Sequence, residues 1–474
     1  MMEQIYINII SFFQASYGAL YVFAFFIASL LLLGGLDDLA VDLYYWYNRW
    51  FRRRKMKRFE DLPQENLHTT PQKPIAILVP TWHEQGVIAK MLTRACTTID
   101  YKNYEMFVGI YPNDPFTAEE VIRTAKKYPQ IHPIMARHDG PSTKAQNLND
   151  IHKGMIEWEN FTGLRYDIII LHDSEDVIHP LSLKCFNYFV PEYDMVQLPV
   201  FPLPTPQKRV VHWTYADEFA ENHTKDMVAR QLFSGFTPSA GVGTAYNRWL
   251  IEFAGTSFAH NMFRRQSLTE DYDIALRLAL AEANLLYLYR PFGIDIATWA
   301  YFPQTFSTAV RQRTRWLIGI CIQAWKNYGW VGNARFKITL YRDRKAIVSN
   351  IINALAYVLL MYVLLYELAH WGLGRYGHLA PLIVKGTLLW NIVLVDTCLM
   401  LWRFIHRYIS VSRVYGRLAG ILSIPRLPIG NIINFTATLR ALRQFYAASR
   451  ARRPIRWEKT VHQYPTVQEA PILQ

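Results

Sequence analysis

The chain has 474 residues, 51% of them apolar and 15% aromatic, and a net charge of +13. That length exceeds one compact core and suits a large domain with further segments. Four scattered cysteines, Cys96, Cys185, Cys321 and Cys398, form no C-x-x-C pair, so neither a disulfide framework nor a zinc ribbon is suggested.

The first apolar stretch, Tyr17 to Leu36, is about long enough to cross the hydrocarbon core of a bilayer. No basic segment precedes it and no small-residue cleavage site follows, which argues against a secretory signal. Asp37, Asp38 and Asp42 then alternate with Leu39, Val41, Leu43, Tyr44 and Trp46, as in a helix emerging at an interface. The basic run Arg49, Arg52, Arg53, Arg54, Lys55, Lys57 and Arg58 closes this unit, 1–58, and places that side in the cytosol. A second basic zone, Arg403 to Lys459, also flanks apolar segments. Basic charge so placed points to a membrane and its lipids and away from nucleic acid.

Residues 71–335 read as one soluble α/β domain. Strands are predicted at Pro74–Val79, Tyr104–Ile110, Ile131–Ala136 and Asp167–Leu171, with helices at Gly86–Cys96, Thr117–Tyr128 and Lys144–Glu157 between them. That order predicts a parallel sheet with helices on both faces and ligands at the carboxyl ends of its strands. Two further spans are expected within 346–403, at Ile347–Ala369 and Pro381–Trp402, joined by the loop Trp371 to Ala380. Val411–Ile424 and Ile429–Ala448, interrupted at Pro425 and Pro428, read as amphipathic interfacial helices over 410–450, or as a re-entrant pair. The polar tail, 451–474, either docks on the domain or moves freely.

Chemistry-bearing residues cluster where the strands end. Pro80-Thr81-Trp82-His83-Glu84 stops the first strand and feeds polar groups into a loop before a helix, as nucleotide sites do and many ordinary strands also do. Asp114, in Tyr111-Pro112-Asn113-Asp114-Pro115, either holds a base or ribose or caps the next helix. The strongest signal is His172-Asp173-Ser174-Glu175-Asp176 after an uncharged strand. Three carboxylates there repel one another unless a cation binds, and closely spaced oxygens suit Mg²⁺ or Mn²⁺. Such an ion would neutralise a departing diphosphate. A solvated acidic turn is the plainer explanation. Zinc held by His172 and His179 lacks a third nitrogen or sulfur ligand at suitable spacing.

Thr269-Glu270-Asp271-Tyr272-Asp273 opens a helix, Ile274 to Ala283. Its acids either complement the helix dipole or supply a general base. Lys144, after Gly140-Pro141-Ser142-Thr143, is a phosphate contact or a solvated helix start. In Gln312-Arg313-Thr314-Arg315-Trp316, Arg315 could clamp a phosphate and Trp316 could stack on a sugar or base. A membrane-flanking basic and aromatic belt would use the same residues.

Taken in order, these motifs resemble the inverting glycosyltransferases of family 2, which have the GT-A fold and include cellulose, chitin and hyaluronan synthases. The Gln-x-x-Arg-Trp motif marks the synthase-like members. The resemblance implies a Rossmann-like mixed sheet in the cytosol, flanked by transmembrane and interfacial helices, in a bacterial inner membrane. It implies that Pro80, Glu84 and Asp114 bind the nucleotide, that Lys144 approaches the diphosphate, and that Asp173 and Glu175 fill the metal positions beside Asp176. Asp271, next to Glu270, would take the acceptor proton. Gln312, Arg315 and Trp316 would bind diphosphate and acceptor, and Gly241-Val242-Gly243-Thr244 would line the acceptor side. The implied partners are a UDP-sugar, a sugar-polymer or lipid-linked acceptor, membrane lipid, and an export partner or second copy. His83 stands where the family usually has Asn, and Glu175 where it has a second Asp.

A bacterial branch of the family shares Gly34-Gly35-Leu36-Asp37-Asp38 and can carry a further C-terminal domain for cyclic di-GMP. The chain ends soon after Trp457-Glu458-Lys459-Thr460, so regulation by that ligand in cis is not expected. Two other functions compete: single-sugar transfer to a lipid phosphate, and a non-catalytic receptor that keeps the fold. A dinucleotide-dependent dehydrogenase is disfavoured because no G-x-G-x-x-G follows the first strand.

Overall fold

The computed structural model describes residues 2–257, 261–373, 376–453, 455 and 463–465. Its centre is a seven-stranded sheet. The strands are β1 (Ile75–Pro80), β2 (Tyr104–Ile110), β3 (Ile131–Met135), β4 (Ile168–Leu171), β5 (Met195–Gln197), β7 (Thr244–Asn247) and β8 (Leu285–Tyr287). Two more, β6 (Val200–Pro202) and β9 (Thr298–Ala300), form a small parallel pair. The large sheet runs β3-β2-β1-β4-β7-β5-β8, with β1 to β4 parallel and β7 antiparallel to both neighbours. The strand order reverses between β1 and β4, the place where open α/β sheets leave a crevice.

Local sequence explains these elements. Ile75 to Val79 and Ile168 to Leu171 are buried throughout, because a parallel strand covered on both faces needs an unbroken apolar run. The helix Lys144–Thr162 starts where the Thr143 side chain accepts from the Gln146 amide and stops at Gly163, φ 73. Apolar clusters form on both sheet faces, around Ile77, Val108 and Phe186 on one and Leu78, Phe107 and Tyr246 on the other.

Among the described residues, four helices are long and apolar enough to cross a membrane: Glu3–Phe51, Ala346–Leu373, Leu388–Tyr415 and Arg417–Ala451. Two depart from expectation. The first is continuous from Met2 to Phe51, so the expected span is only its middle part. The last runs unbroken through Pro425 and Pro428 where two interfacial helices were expected. Each proline costs one helical hydrogen bond. Packing on neighbouring helices and a buried ion pair, Arg426 Nη2 to Asp217 Oδ1 at 2.7 Å, offset that loss.

Asp37 and Asp38 join the first helix to Arg342, Lys345 and Arg403, for example at 2.8 Å from Lys345 Nζ to Asp38 Oδ1 and 3.0 Å from Arg403 Nη1 to Asp38 Oδ2. Gly35 allows the close approach behind this: a Cβ there would lie 2.8 Å from Leu399 Cδ1. Most of the tail falls outside the described residues. Within it, Ile455 packs beside Leu268 and Ile318, and Tyr464 packs against the main core.

Candidate active site

The loops after β1 and β4 lie side by side because Leu78 pairs with Leu171 and the His172 amide donates to the Leu78 carbonyl at 3.2 Å. A cavity of about 880 Å³ opens at this rim, within the usual size of a ligand site. Pro80, Glu84, Lys144, Asp173, Glu175 and Asp176 line its sheet side. Glu270, Asp271, Gln312, Arg315 and Trp316 line the opposite wall. Residues more than 200 positions apart in the chain therefore share one space.

Lys144 ties the two walls together. Its Nζ lies 2.6 Å from Asp173 Oδ1 and 3.7 Å from Glu270 Oε1. Burial opposes its charge, but Asp173 and Glu270 more than compensate and hold the ammonium above its ordinary pKa. Burial pushes the Glu270 carboxyl from 4.5 up to about 7; Lys144 opposes the shift and Asp271 adds to it. Burial also raises Asp271, against the pull of Lys144 and of the Tyr272 amide, which donates to Asp271 Oδ1 at 2.8 Å. Asp271 further abuts Gly241, φ +78, where a Cβ would stand 2.9 Å from Oδ2. Only glycine fits both the backbone angle and this contact.

The Gln-x-x-Arg-Trp residues occupy the helix Phe306–Trp316 and divide by role. Gln312 Oε1 is buried without a hydrogen-bond partner among the described residues. Arg315 has no hydrogen bond or ion pair to any described residue, yet it faces the cavity and lowers the pKa of Glu270 and Asp271. The Trp316 ring meets Tyr215 edge-on at 5.9 Å. Arg313, by contrast, is buried on Glu218 at 2.7 Å. A π-helical stretch, Leu317–Gln323, follows directly. Gly319 within it seats against Thr269, whose Oγ1 would lie 2.3 Å from an added Cβ. Such π-turns are frequent at functional sites.

Three expected residues stand elsewhere. Asp114 does not line the cavity. Its Oδ2 accepts from the His83 amide at 2.6 Å and its Oδ1 from the Thr117 amide at 3.5 Å, so it caps the helix Pro115–Lys127. Thr244 is buried in β7 and donates to Gln197 Oε1 at 2.6 Å. Gly243, φ +57, is pressed against Thr298. Their neighbours Ala240 and Val242 reach the cavity instead.

The expected three-carboxylate metal set also needs correction. Among the described residues no three His, Cys, Asp or Glu side chains are placed to hold one ion. Asp176 Oδ2 is taken by His172 Nδ1 at 2.8 Å and by the Asp173 amide at 3.0 Å, and the residue is 2% exposed. Asp173 keeps a side chain that is 27% exposed, and Glu175 lines the cavity with Oε2 accepting from Ser174 at 3.1 Å. Two carboxylates suffice for Mg²⁺ when phosphate oxygens complete the shell. The donor set thus fits an ion carried in with a diphosphate and does not fit a preformed protein cage.

Sequence reasoning missed the support beside Asp271. The Tyr272 hydroxyl donates to Asp343 Oδ2 at 2.6 Å, and Arg230 grips the same carboxylate with two bonds, at 2.7 and 2.6 Å. Arg230 and Asp343 are 113 residues apart and sit in no local pattern.

Residues 71–319 match the family described as Glycosyltransferase like family 2. The chain is 37% identical over 466 residues to Bacteriophage adsorption protein B of Escherichia coli (strain K12), and equally to Bacteriophage N4 adsorption protein B of Escherichia coli O157:H7. Each alignment covers 94% of this chain and 62% of the relative, so the chain spans under two thirds of their length. Among solved structures, mannosyltransferase PcManGT from Pyrobaculum calidifontis in complex with GDP-Man and Mn2+ is similar, with a TM-score of 0.54 and 14% identity, over 88% of this chain and 99% of that one. That likeness gives the fold, a GT-A arrangement. More than half of the chain matches the family, and the chain is a member of glycosyltransferase family 2.

Proposed function

We propose that this protein is an inverting, membrane-embedded glycosyltransferase that moves a sugar from a UDP-sugar to a growing polysaccharide or lipid-linked acceptor, for exopolysaccharide synthesis. The observation that carries the reading is the shared cavity of Asp271, Lys144, Asp173 and Arg315, with Lys144 bridging its two walls. A nucleoside-diphosphate sugar and a divalent ion in PcManGT support the donor class for this fold. The domain would face the cytosol of a bacterial inner membrane, with an export partner or a second copy completing an exit path.

Asp271 would accept the proton of the incoming hydroxyl as its oxygen attacks the anomeric carbon. The bond from that carbon to the β-phosphate oxygen breaks on the opposite face, and the nucleoside diphosphate leaves. A UDP-α-sugar then gives a β-linkage. Lys144 and Arg315, which has no ion pair with any described residue, would stabilise the charge that grows on the leaving oxygen. Mg²⁺ or Mn²⁺ held by Asp173 and Glu175 would supply further neutralisation of the diphosphate. Gln312 Oε1, otherwise unpartnered, would accept from a sugar hydroxyl, and Trp316 would offer its face to the ring.

Asp271→Asn is expected to lower turnover by roughly 10²–10⁴-fold. Its UDP affinity should stay within about twofold, because the cationic contacts remain. UDP release and equilibrium UDP binding on the purified protein measure the two quantities. Undiminished turnover would remove Asp271 from the role of base. Product length on a gel separates a polymer from single-sugar transfer to a lipid phosphate.

A further inference from the structure

A second cavity, of about 290 Å³, lies beside the end of the Met2–Phe51 helix. Among the described residues three cations line it, Arg52, Lys55 and Arg335, together with Tyr44, Tyr47 and Phe233, and none of the described lining residues is a carboxylate. Nearby Lys57 and Arg58 are ion-paired to Glu60 and Glu192. Arg52, Lys55 and Arg335 have no ion pair with any described residue. Unpaired positive charge from separate elements around one hollow is a site for an anion.

The pocket is built. The Tyr44 hydroxyl donates to the Leu232 carbonyl at 3.0 Å, and its ring meets Phe233 edge-on at 5.7 Å, which fixes the back wall. The Arg52 guanidinium stands 5.8 Å from the Tyr47 ring centroid. Arg335 sits in the first turn of Ala334–Arg344, whose positive helix end adds to the field.

The surroundings indicate which anion. Leu36, Leu43, Tyr47 and Trp50 are all exposed, by 45%, 54%, 49% and 68%. Their spacing puts them on one helix face. An exposed apolar stripe therefore continues from the candidate span to the mouth of the pocket and ends in aromatic residues. Such residues belong at the headgroup level of a bilayer. We propose that this pocket binds the phosphate of an anionic phospholipid from the leaflet facing the domain. The inference rests on the membrane reading of the first helix. Tyr44 and Phe233 also line the larger cavity, so a bound headgroup would brace the wall of the active site.

The test uses the full chain in detergent, with phosphatidylglycerol, phosphatidylcholine or inorganic phosphate added, and native mass spectrometry as the readout. One phosphatidylglycerol is expected to be retained in preference to phosphatidylcholine. R52Q/K55Q/R335Q should weaken retention about tenfold or more, whereas R53Q/R54Q/R58Q, with the same charge lost outside the pocket, should stay within about twofold. Equal thermal unfolding of both triple variants checks the fold. Equal loss in both variants, or no loss in the first, would overturn the proposal. Displacement of the lipid by inorganic phosphate at similar concentration would overturn the lipid as its source. Release of the chain from membranes by alkaline carbonate without detergent would overturn the underlying membrane reading, and would be seen separately from lipid retention.

Discussion

Glu270 and Asp271 are neighbours in sequence, and one cation, Lys144, stands between Glu270 and Asp173, so the site is expected to respond to pH. The Glu270 carboxyl is raised from 4.5 to about 7 chiefly by burial. Between those values the folded protein binds a proton that the unfolded chain has lost. Stability from this group is thus full below pH 4.5 and is lost as pH rises through about 7. Glu270→Gln should therefore raise the melting temperature at pH 8 and leave it nearly unchanged at pH 4, as calorimetry at both values would show. Arg313 and Arg315 make a second contrast. Arg313→Ala strands Glu218 and should lower stability by roughly 3 kcal/mol. Arg315→Ala should melt like the parent and lose UDP affinity, since its guanidinium pairs with no described residue. Lys144, Asp173 and Asp271 were legible because each stands at a strand end or helix start, where side chains meet a cavity, and Arg315 through its Gln-x-x-Arg-Trp motif. Asp114 and Asp176 were not, since an aspartate at a turn looks the same whether it binds a ligand or a backbone amide.

Between elements, the contact of Gly319 with Thr269 couples the π-helical turn to the start of the helix Glu270–Leu280. Gly319→Ala should push Thr269 aside, cost about 1–3 kcal/mol by overpacking, and lower turnover by displacing Asp271. Thr269→Ala in the same chain should recover part of both losses, because the atoms nearest the new methyl are removed. Melting temperature and UDP release on the four variants of this cycle check it. The parallel strands β1 and β4 were readable because their unbroken apolar runs have few other uses. β5 to β9 have three or four residues each, too few to carry a period. The helix Arg417–Ala451 was misread for a different reason: its prolines argue for a break, and only long-range partners such as Asp217 and Arg313 show why it holds.

At the scale of the whole molecule, the catalytic domain is bolted to its long helices through acids that the sequence placed at an interface without naming their partners. Replacing Asp37 and Asp38 with Asn would leave Arg342, Lys345 and Arg403 beside one another without compensation. The protein in detergent should lose roughly 1 kcal/mol, since these pairs are partly solvated. The site itself depends on the same architecture, because the sheet rim and the helix Phe306–Trp316 face each other across a single cavity. On the proposed reading, a single displacement there, with Asp271 taking the proton, would leave only one stereochemical outcome. The purified chain in lipid vesicles, given an accepted UDP-α-sugar, allows the new linkage to be read by NMR at its anomeric carbon. The account predicts a β-linkage, and an α-linkage would contradict it.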